Sequence, residues 1–390
     1  MPEKKGKEEM PLSERIISPL SDEEILSRIG RTEPLLESWY RDFGRELPWR
    51  EKEPGKRADP YHVWLSEIML QQTRVETVIP YYQRFLSEVP DIPALSKADD
   101  ALLYKLWEGL GYYSRVRGLK KGAQQVMEQF DGHLPESVPL LKTISGIGEY
   151  TAGAIGSIAF GLREPAVDGN LLRVSARWTA AEGDIAKMSV RKAFHDLLLT
   201  GMERMVMDPG DYNQAMMDLG AGVCIPVTPR CERCPVRSCC LAFDRDQTAL
   251  FPVKAPKKER RIEEKTVLLL TDGEKIYLRR RPENGLLAGL WEFPMLDGAL
   301  GKEETEAALL RMGIRAANLS PLKKSVHRFT HIEWRMKGFV GLCREGAPEW
   351  SAVTREELEE KYTLPSALRV YRKAAETLFS EIQEEHIGIL

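Results

Sequence analysis

The sequence predicts two domains, a nearly all-α one followed by an α+β one, and three observations carry that expectation. The chain has 390 residues, more than one hydrophobic core usually serves. Helical periodicity dominates to about residue 245, and then proline and alternating charge replace it in "ALFPVKAPKKERRIEEK", residues 249–265, a composition that suits an interdomain linker. Beyond it, "KTVLLLTDGEKIYLRRRP" holds two apolar runs joined at Asp272-Gly273, a strong hairpin signal.

The elements follow in order. Residues 1–25 are charged and poorly periodic and read as a mobile extension. The domain at 26–248 opens its motif-bearing part with "DPYHVWLSEIMLQQTRVETVIPYYQRFL", where Asp59 is a natural N-cap with Pro60 at the first helical position. Pro80 is expected to end or kink that helix. Further helices are predicted over "DALLYKLWEGLG", "YSRVRGLKKGAQQVMEQF", the segment after Gly148, "LLRVSARWTAA" and "SVRKAFHDLLLTGM", all from apolar spacing. In the domain at 266–390, a helix over "KEETEAALLRMG", one strand around "RFTHIEWRMKGFV" and a closing helix in "SALRVYRKAAETLF" complete the α+β pattern.

Composition bounds the function. Apolar residues make up 43% and charged residues 29%, which suits folded cores with a charged surface. No apolar run approaches a membrane span and "MPEKKGKEEM" lacks a secretory core, so a cytoplasmic, reducing location and no membrane partner are expected. The formal net charge of −3 does not advertise nucleic acid, so such a claim must rest on local patches. "YYSRVRGLKK", with Arg115, Arg117, Lys120 and Lys121 beside two tyrosines, is one; a solvated helix face is the plainer alternative.

Five of the six cysteines fall in "CIPVTPRCERCPVRSCC", residues 224–240. In a reducing compartment clustered cysteines point to a metal rather than to disulfides. Cys224, Cys231, Cys234 and Cys240 are spaced C-x6-C-x2-C-x5-C, with Cys239 to spare and Cys343 alone. Four soft thiolates suit tetrahedral zinc or a [4Fe-4S] cluster, and the spacing alone does not choose between them. The pattern resembles the iron-sulfur loop of the endonuclease III-like DNA glycosylases, and the resemblance implies a [4Fe-4S] cluster bracing a loop whose Arg230, Arg233 and Arg237 meet DNA phosphates.

"LKTISGIGEYTAGAI", residues 141–155, is a glycine-bearing turn entering a helix. Gly146 and Gly148 permit positive φ and close backbone approach, which would let main-chain amides face a phosphate. A G-x-G is by itself usually just a turn; here it resembles the helix-hairpin-helix motif, and Asp168 in "VDGN" stands where that superfamily carries its catalytic aspartate. Asp168 is also a good N-cap, and a helix N-terminus favours its ionised form.

Glu67 in "WLSEIMLQQT" has Trp64 and Leu70 as helical neighbours, so desolvation should raise its pKa toward neutrality; from position alone, a glutamate at the edge of an amphipathic helix is the plainer reading. The string "WLSEIMLQQTRVETVIPYY" is similar to the corresponding helix of the MutY-type adenine DNA glycosylases. The resemblance makes Glu67 the proton donor to adenine N7 and Asp168 the anion that stabilises the sugar cation, a division of labour shared with glycoside hydrolysis.

The family comparison also implies the remaining roles. Tyr150 stands where the lyase-active relatives carry a Schiff-base lysine, which implies a monofunctional enzyme, with Tyr150 holding Asp168 or the sugar and Asn170 supporting the same site. Gln72, Thr73, Leu110 and Tyr112 are implied to meet the opposite base, with Arg115 and the Gly146–Gly148 turn on the backbone. The second domain resembles the Nudix fold through "GLLAGLWEFP", but Glu303, Glu304 and Glu306 do not form the R-E-x-x-E-E magnesium signature, so recognition of 8-oxoguanine is expected in place of triphosphate hydrolysis. Phe329-Thr330-His331 stands where the family has Phe-Ser-His; threonine keeps the hydroxyl and adds a methyl. The implied partner is duplex DNA with adenine opposite 8-oxoguanine or guanine, bound by a monomer. The alternatives are a lyase on oxidised pyrimidines, a non-catalytic iron-sulfur DNA-binding protein and a zinc module.

Overall fold

The computed structural model describes residues 10–50, 56–256 and 259–387, with side chains through residue 382. Residues 1–9 of the expected extension and 257–258 of the expected linker lie outside the described residues. Contacts divide the chain into two compact units, one of residues 1–97 and 118–256, the other of residues 98–117 and 257–390.

The first unit is helical. It contains α1 (Leu12–Arg15), α2 (Asp22–Phe43), α3 (Pro60–Leu70), α4 (Val75–Glu88) and α5 (Ile92–Lys97). After α6 (Asp100–Trp107) and the start of α7 (Ser114–Gln129), which the second unit claims, it continues with α8 (Val138–Leu141), α9 (Glu149–Ala154) and a π-helical turn at Ile155–Ala159. Helices α10 (Gly169–Thr179), α11 (Met188–Glu203), α12 (Pro209–Gly222) and α13 (Leu241–Asp244) complete it.

Two expectations need correcting here. Residues 11–25 carry α1 and the start of α2, with Ile16 and Ile25 buried; a Ser21–Glu24 capping box fixes that start. The helix begun at Asp59 ends at Leu70, where Gln72 adopts a left-handed backbone (φ 60°), and Pro80 sits inside α4 without ending it.

The α8–α9 hairpin is held by small residues on α7. Gly146 has φ +83°, and a Cβ there would lie 3.1 Å from the backbone of Gly118. Gly148, in contrast, is at φ −92° and serves as the α9 N-cap, so only the first of the two glycines needs its conformational freedom. One turn along α7, a Cβ on Gly122 would meet the Ser145 carbonyl oxygen at 2.5 Å and the Trp64 ring at 2.8 Å.

The second unit is built on a seven-stranded mixed sheet with core order β3-β2-β1-β6-β5. Its strands are β1 (Arg261–Thr271), β2 (Ile276–Arg280), β3 (Trp291–Glu292), β4 (Met295–Asp297), β5 (Ala316–Arg328), β6 (Ile332–Cys343) and β7 (Trp350–Val353). β1 runs parallel to β6, from Arg261 opposite Ile332 to Thr271 opposite Leu342. Its apolar run is continuous because both faces are covered: Val267 and Leu269 pack under α15 (Arg355–Glu360) and α16 (Arg369–Ile387), while Leu268 and Leu270 pack under α14 (Lys302–Arg311). The hairpin at Asp272-Gly273 forms, with Gly273 at φ 110°.

The strand expected around "RFTHIEWRMKGFV" is instead the end of β5, a turn at Phe329–His331 and β6. β5 escaped the sequence pattern because it is mostly exposed and contains Pro321. A further difference is that β1 starts at Arg261, inside the stretch expected to be linker.

Gly122→Ala tests how rigidly the hairpin is held. Alanine gains up to about 1 kcal/mol of helix propensity, but overpacking against main chain costs about 1–3 kcal/mol. A lowered urea midpoint is expected; an unchanged or raised midpoint would show that the hairpin yields.

Candidate active site

Glu67 and Asp168 face one cavity of about 180 Å³, lined also by Arg50, Ser66, Thr73, Tyr150, Asn170 and Gln214. Glu67 is 5% exposed on a helix buried along most of its length. Desolvation pushes its carboxyl up to about 7, reinforced by the negative charge of Asp168 and opposed by a hydrogen bond from the Tyr150 hydroxyl and by Arg50. Tyr150, implied to hold Asp168 or the sugar, therefore donates to Glu67 instead. Burial raises its own phenol well above the ordinary value.

Asp168 is the N-cap of α10. Its Oδ1 accepts the backbone N–H groups of Asn170 (2.8 Å) and Leu171 (2.7 Å), and its Oδ2 accepts Asn170 Nδ2 at 2.7 Å. Desolvation pushes this carboxyl up as well; the three N–H donors and the Arg173 charge act against that and favour the anion. Asn170 is in turn held by Arg173, which donates to its Oδ1 at 2.8 Å. The site thus places a carboxyl raised toward neutrality beside a second carboxyl fixed by N–H donors, two acids in unlike surroundings.

Several residues that shape this cavity were not singled out from the sequence. Asn213 on α12 is fully buried; it accepts Ala166 N–H (3.0 Å) and donates to Ser157 Oγ and Glu164 O (both 2.8 Å). It thereby ties the loop before Asp168 to the π-helical turn after Tyr150. The available signal was "DPGDYNQAMMDLG", an Asp-Pro helix start followed by polar residues within an apolar run, and Asp208 does cap α12.

The four spaced cysteines line a second, smaller cavity with Arg177 and Arg237, whereas Cys239 does not reach it. Arg177, 1% exposed, donates to Ile225 O (2.8 Å), Pro226 O (2.9 Å), Phe251 O (3.0 Å) and Cys224 Sγ (3.2 Å). Burial pushes the Cys234 thiol up to about 12 and the Cys240 thiol up to about 11. Among the described residues no group of three or more His, Cys, Asp or Glu side chains is placed to hold a metal ion. Arg230, Arg233 and Arg237 are exposed on this loop.

The residues implied to meet DNA lie on two units. In the first, Gln72 is exposed, Thr73 lines the carboxylate cavity, and Gly146 and Gly148 are exposed at the hairpin. In the second, Leu110 is buried, while Tyr112 is 47% exposed with φ 48°. Arg115 braces that loop, donating to Leu110 O and Gly111 O at 3.1 Å and stacking over Trp107 and Tyr112. The Tyr112 hydroxyl lies 3.2 Å from Thr330 Oγ1. Both line a cavity of about 500 Å³ with Phe329, His331, His327 and Leu286. Phe329 packs edge-on between His327 and Trp334.

The helical domain thus brings a buried glutamate and a capped aspartate to one cavity. Residues 65–198 match the HhH-GPD superfamily of base excision DNA repair proteins and residues 266–374 match the NUDIX domain. The chain is similar to the human adenine DNA glycosylase, 36% identical over 86% of this chain and 72% of that protein. It is also similar to that of Buchnera aphidicola subsp. Baizongia pistaciae, 33% identical over 76% of this chain and 81% of that one. The chain belongs to the adenine DNA glycosylase family. Among solved structures it is similar to a thermostable thymine-DNA glycosylase (TM-score 0.48, 24% identity, 56% of this chain and 98% of that one). It is similar too to a trapped endonuclease III–DNA covalent intermediate (TM-score 0.47, 18% identity, 58% and 99%). No described helix is long and apolar enough to cross a membrane.

The raised Glu67 carboxyl has a stability consequence with a definite sign. Between the ordinary value of 4.5 and about 7 the folded state binds more protons than the unfolded, so stability falls as pH rises through that window. Glu67→Gln removes the penalty. The variant should gain on the order of 2 kcal/mol over the parent at pH 8, with the difference closing toward pH 5, as read from thermal midpoints against pH. A difference equal at both pH values would contradict the raised carboxyl.

Proposed function

We propose that this protein removes adenine from duplex DNA where it lies opposite 8-oxoguanine, or opposite guanine, and leaves an abasic site. The observation that carries the proposal is the shared cavity of Glu67 and Asp168, which has no lysine among its described lining residues. Adenine must first leave the base stack to enter it. The Glu67 carboxyl then gives its proton to N7 as the C1′–N9 bond breaks, and the bond's electron pair leaves with the base. Asp168 balances the positive sugar, by charge or through a transient C1′–O bond, until water adds at C1′ and gives up its proton to a carboxylate. Tyr150 keeps Glu67 oriented and, having no amine, forms no Schiff base with the sugar.

The same reading assigns the surrounding residues. Main-chain amides of the Gly146–Gly148 turn face a DNA phosphate, and Gln72 and Thr73 meet the duplex near the vacated position. Tyr112, on the loop that Leu110 anchors and Arg115 braces, meets the opposite base together with Phe329, Thr330 and His331. The Tyr112–Thr330 hydroxyl contact supports this grouping. A Phe329 ring held edge-on by its neighbours and a threonine hydroxyl suit an oxidised purine. Cys224, Cys231, Cys234 and Cys240, which line one cavity, would hold a [4Fe-4S] cluster, for which four soft thiolates are the ligand set. Its chemistry is structural: it fixes the loop bearing Arg230, Arg233 and Arg237. The protein acts as a monomer at the chromosome.

Two measurements test this. In single-turnover assays, duplexes with adenine opposite 8-oxoguanine should be cut only after alkali, faster than those with guanine and far faster than those with thymine. Glu67→Gln should lose at least about a hundredfold in rate. Strand cleavage without alkali, with a borohydride-trapped adduct, would sink the monofunctional reading. Separately, Cys224→Ser with Cys234→Ser should abolish iron content and visible absorbance, and full retention of iron would remove those thiols as ligands.

A further inference from the structure

The cavity that holds Glu67 and Asp168 is lined also by two arginines, Arg45 and Arg50. Arg50 lines the cavity with Glu67, and its side chain is only 9% exposed. A buried guanidinium beside a buried carboxyl would ordinarily pair with it. Arg50 is instead engaged from behind by Asp218 on α12, whose own side chain is 2% exposed. Arg50 Nη1 donates to Asp218 Oδ2 at 2.8 Å and Nη2 to Oδ1 at 2.9 Å, a bidentate pairing that fixes the guanidinium plane. Arg45 donates its backbone N–H to Oδ2 at 2.9 Å and Nε to Oδ1 at 2.7 Å, and its carbonyl accepts Arg50 Nη1 at 3.0 Å. One carboxylate thus gathers two arginines and the turn between them.

We propose that Asp218 is a positioning residue for adenine excision: by clamping Arg50 it withholds the guanidinium from Glu67 and leaves that carboxyl as a proton donor. The inference rests on the reading of Glu67 as the acid. The described charged and titratable groups around Glu67 come from four parts of the chain, and Arg45, also held by Asp218, is a second cation in the cavity lining. Tyr150 donates to it from α9, the Asp168 charge at the start of α10 favours its protonated form, and Arg50, ahead of α3, favours its ionised form. From α12 come Gln214, which is neutral, and Asp218, which lies behind Arg50. Among the described cations lining the cavity, Arg50 is the one whose charge favours the ionised form of Glu67, and Asp218 is the group that restrains it.

The test is the pH dependence of single-turnover adenine excision by the full chain between pH 5 and 9. With Asp218→Asn the alkaline limb should move down by about one pH unit, so that the rate at pH 8 falls about tenfold beyond any loss common to all pH values. Arg50→Gln should move the limb upward. With Arg50→Gln already in place, adding Asp218→Asn should shift the limb by less than half as much as it does alone, because the clamp then has nothing to withhold. A loss uniform across pH, with the limb unmoved, overturns the proposal and leaves Asp218 with a role in folding only. If Asp218→Asn does not fold, Arg50→Gln alone decides, and a fixed limb overturns the proposal. Excision surviving in Glu67→Gln would instead overturn the donor assignment beneath it, whichever way the limb moves.

Discussion

Two arginines inside α10 constrain most of the first unit. Arg173 and Arg177 are 8% and 1% exposed, and buried guanidinium groups demand compensation from every side. They find it in main-chain carbonyls: Arg173 reaches Gly220 O and Cys224 O at 2.7 Å, and Arg177 reaches residues 225, 226, 248 and 251. The end of α12, the cysteine loop and the segment after it are thereby fastened to the helix whose first turn fixes Asp168. The cysteine loop and the aspartate are two ends of one rigid piece.

That arrangement explains what was legible in the sequence. Glu67 and Asp168 stood out because the strings around them resemble a known family; their local signals, an acid beside an apolar helix face and an Asp-Gly-Asn helix start, read equally as ordinary helix structure. The cysteines were recognisable by spacing. Arg173 and Arg177 were not, since arginines in an amphipathic pattern read as a solvated face; only the carbonyls that converge on them from far along the chain make them interior. Asn213 and Asp218 were hidden likewise in an apolar run. Tyr150 was placed near the right carboxylates, but which of them it bonds depends on the turn from α9 into the π-helical segment, a tertiary matter.

In the second unit the hairpin and the doubly covered β1 follow from turn chemistry and an unbroken apolar run. β5 does not, because an exposed edge strand is selected by its partner rather than by its own pattern. Phe329-Thr330-His331, expected within a strand, forms a turn in which Phe329 N–H meets Ile332 O at 2.8 Å and His331 O accepts the Arg261 N–H at 3.0 Å. Side chains at such a tip are aimed by the two strands behind them.

The parallel union of β1 with β6 also dictates when this unit can assemble. β1 emerges early, yet the neighbour that pairs with it along its whole length is made only after β2 to β5, and the α15–α16 cover comes later still. During synthesis the run Val267–Leu270 must wait without its final partner, exposing the most apolar strand of the unit. Folding here is governed by long-range closure rather than local order, and the interval favours chaperone capture or mispairing at that strand.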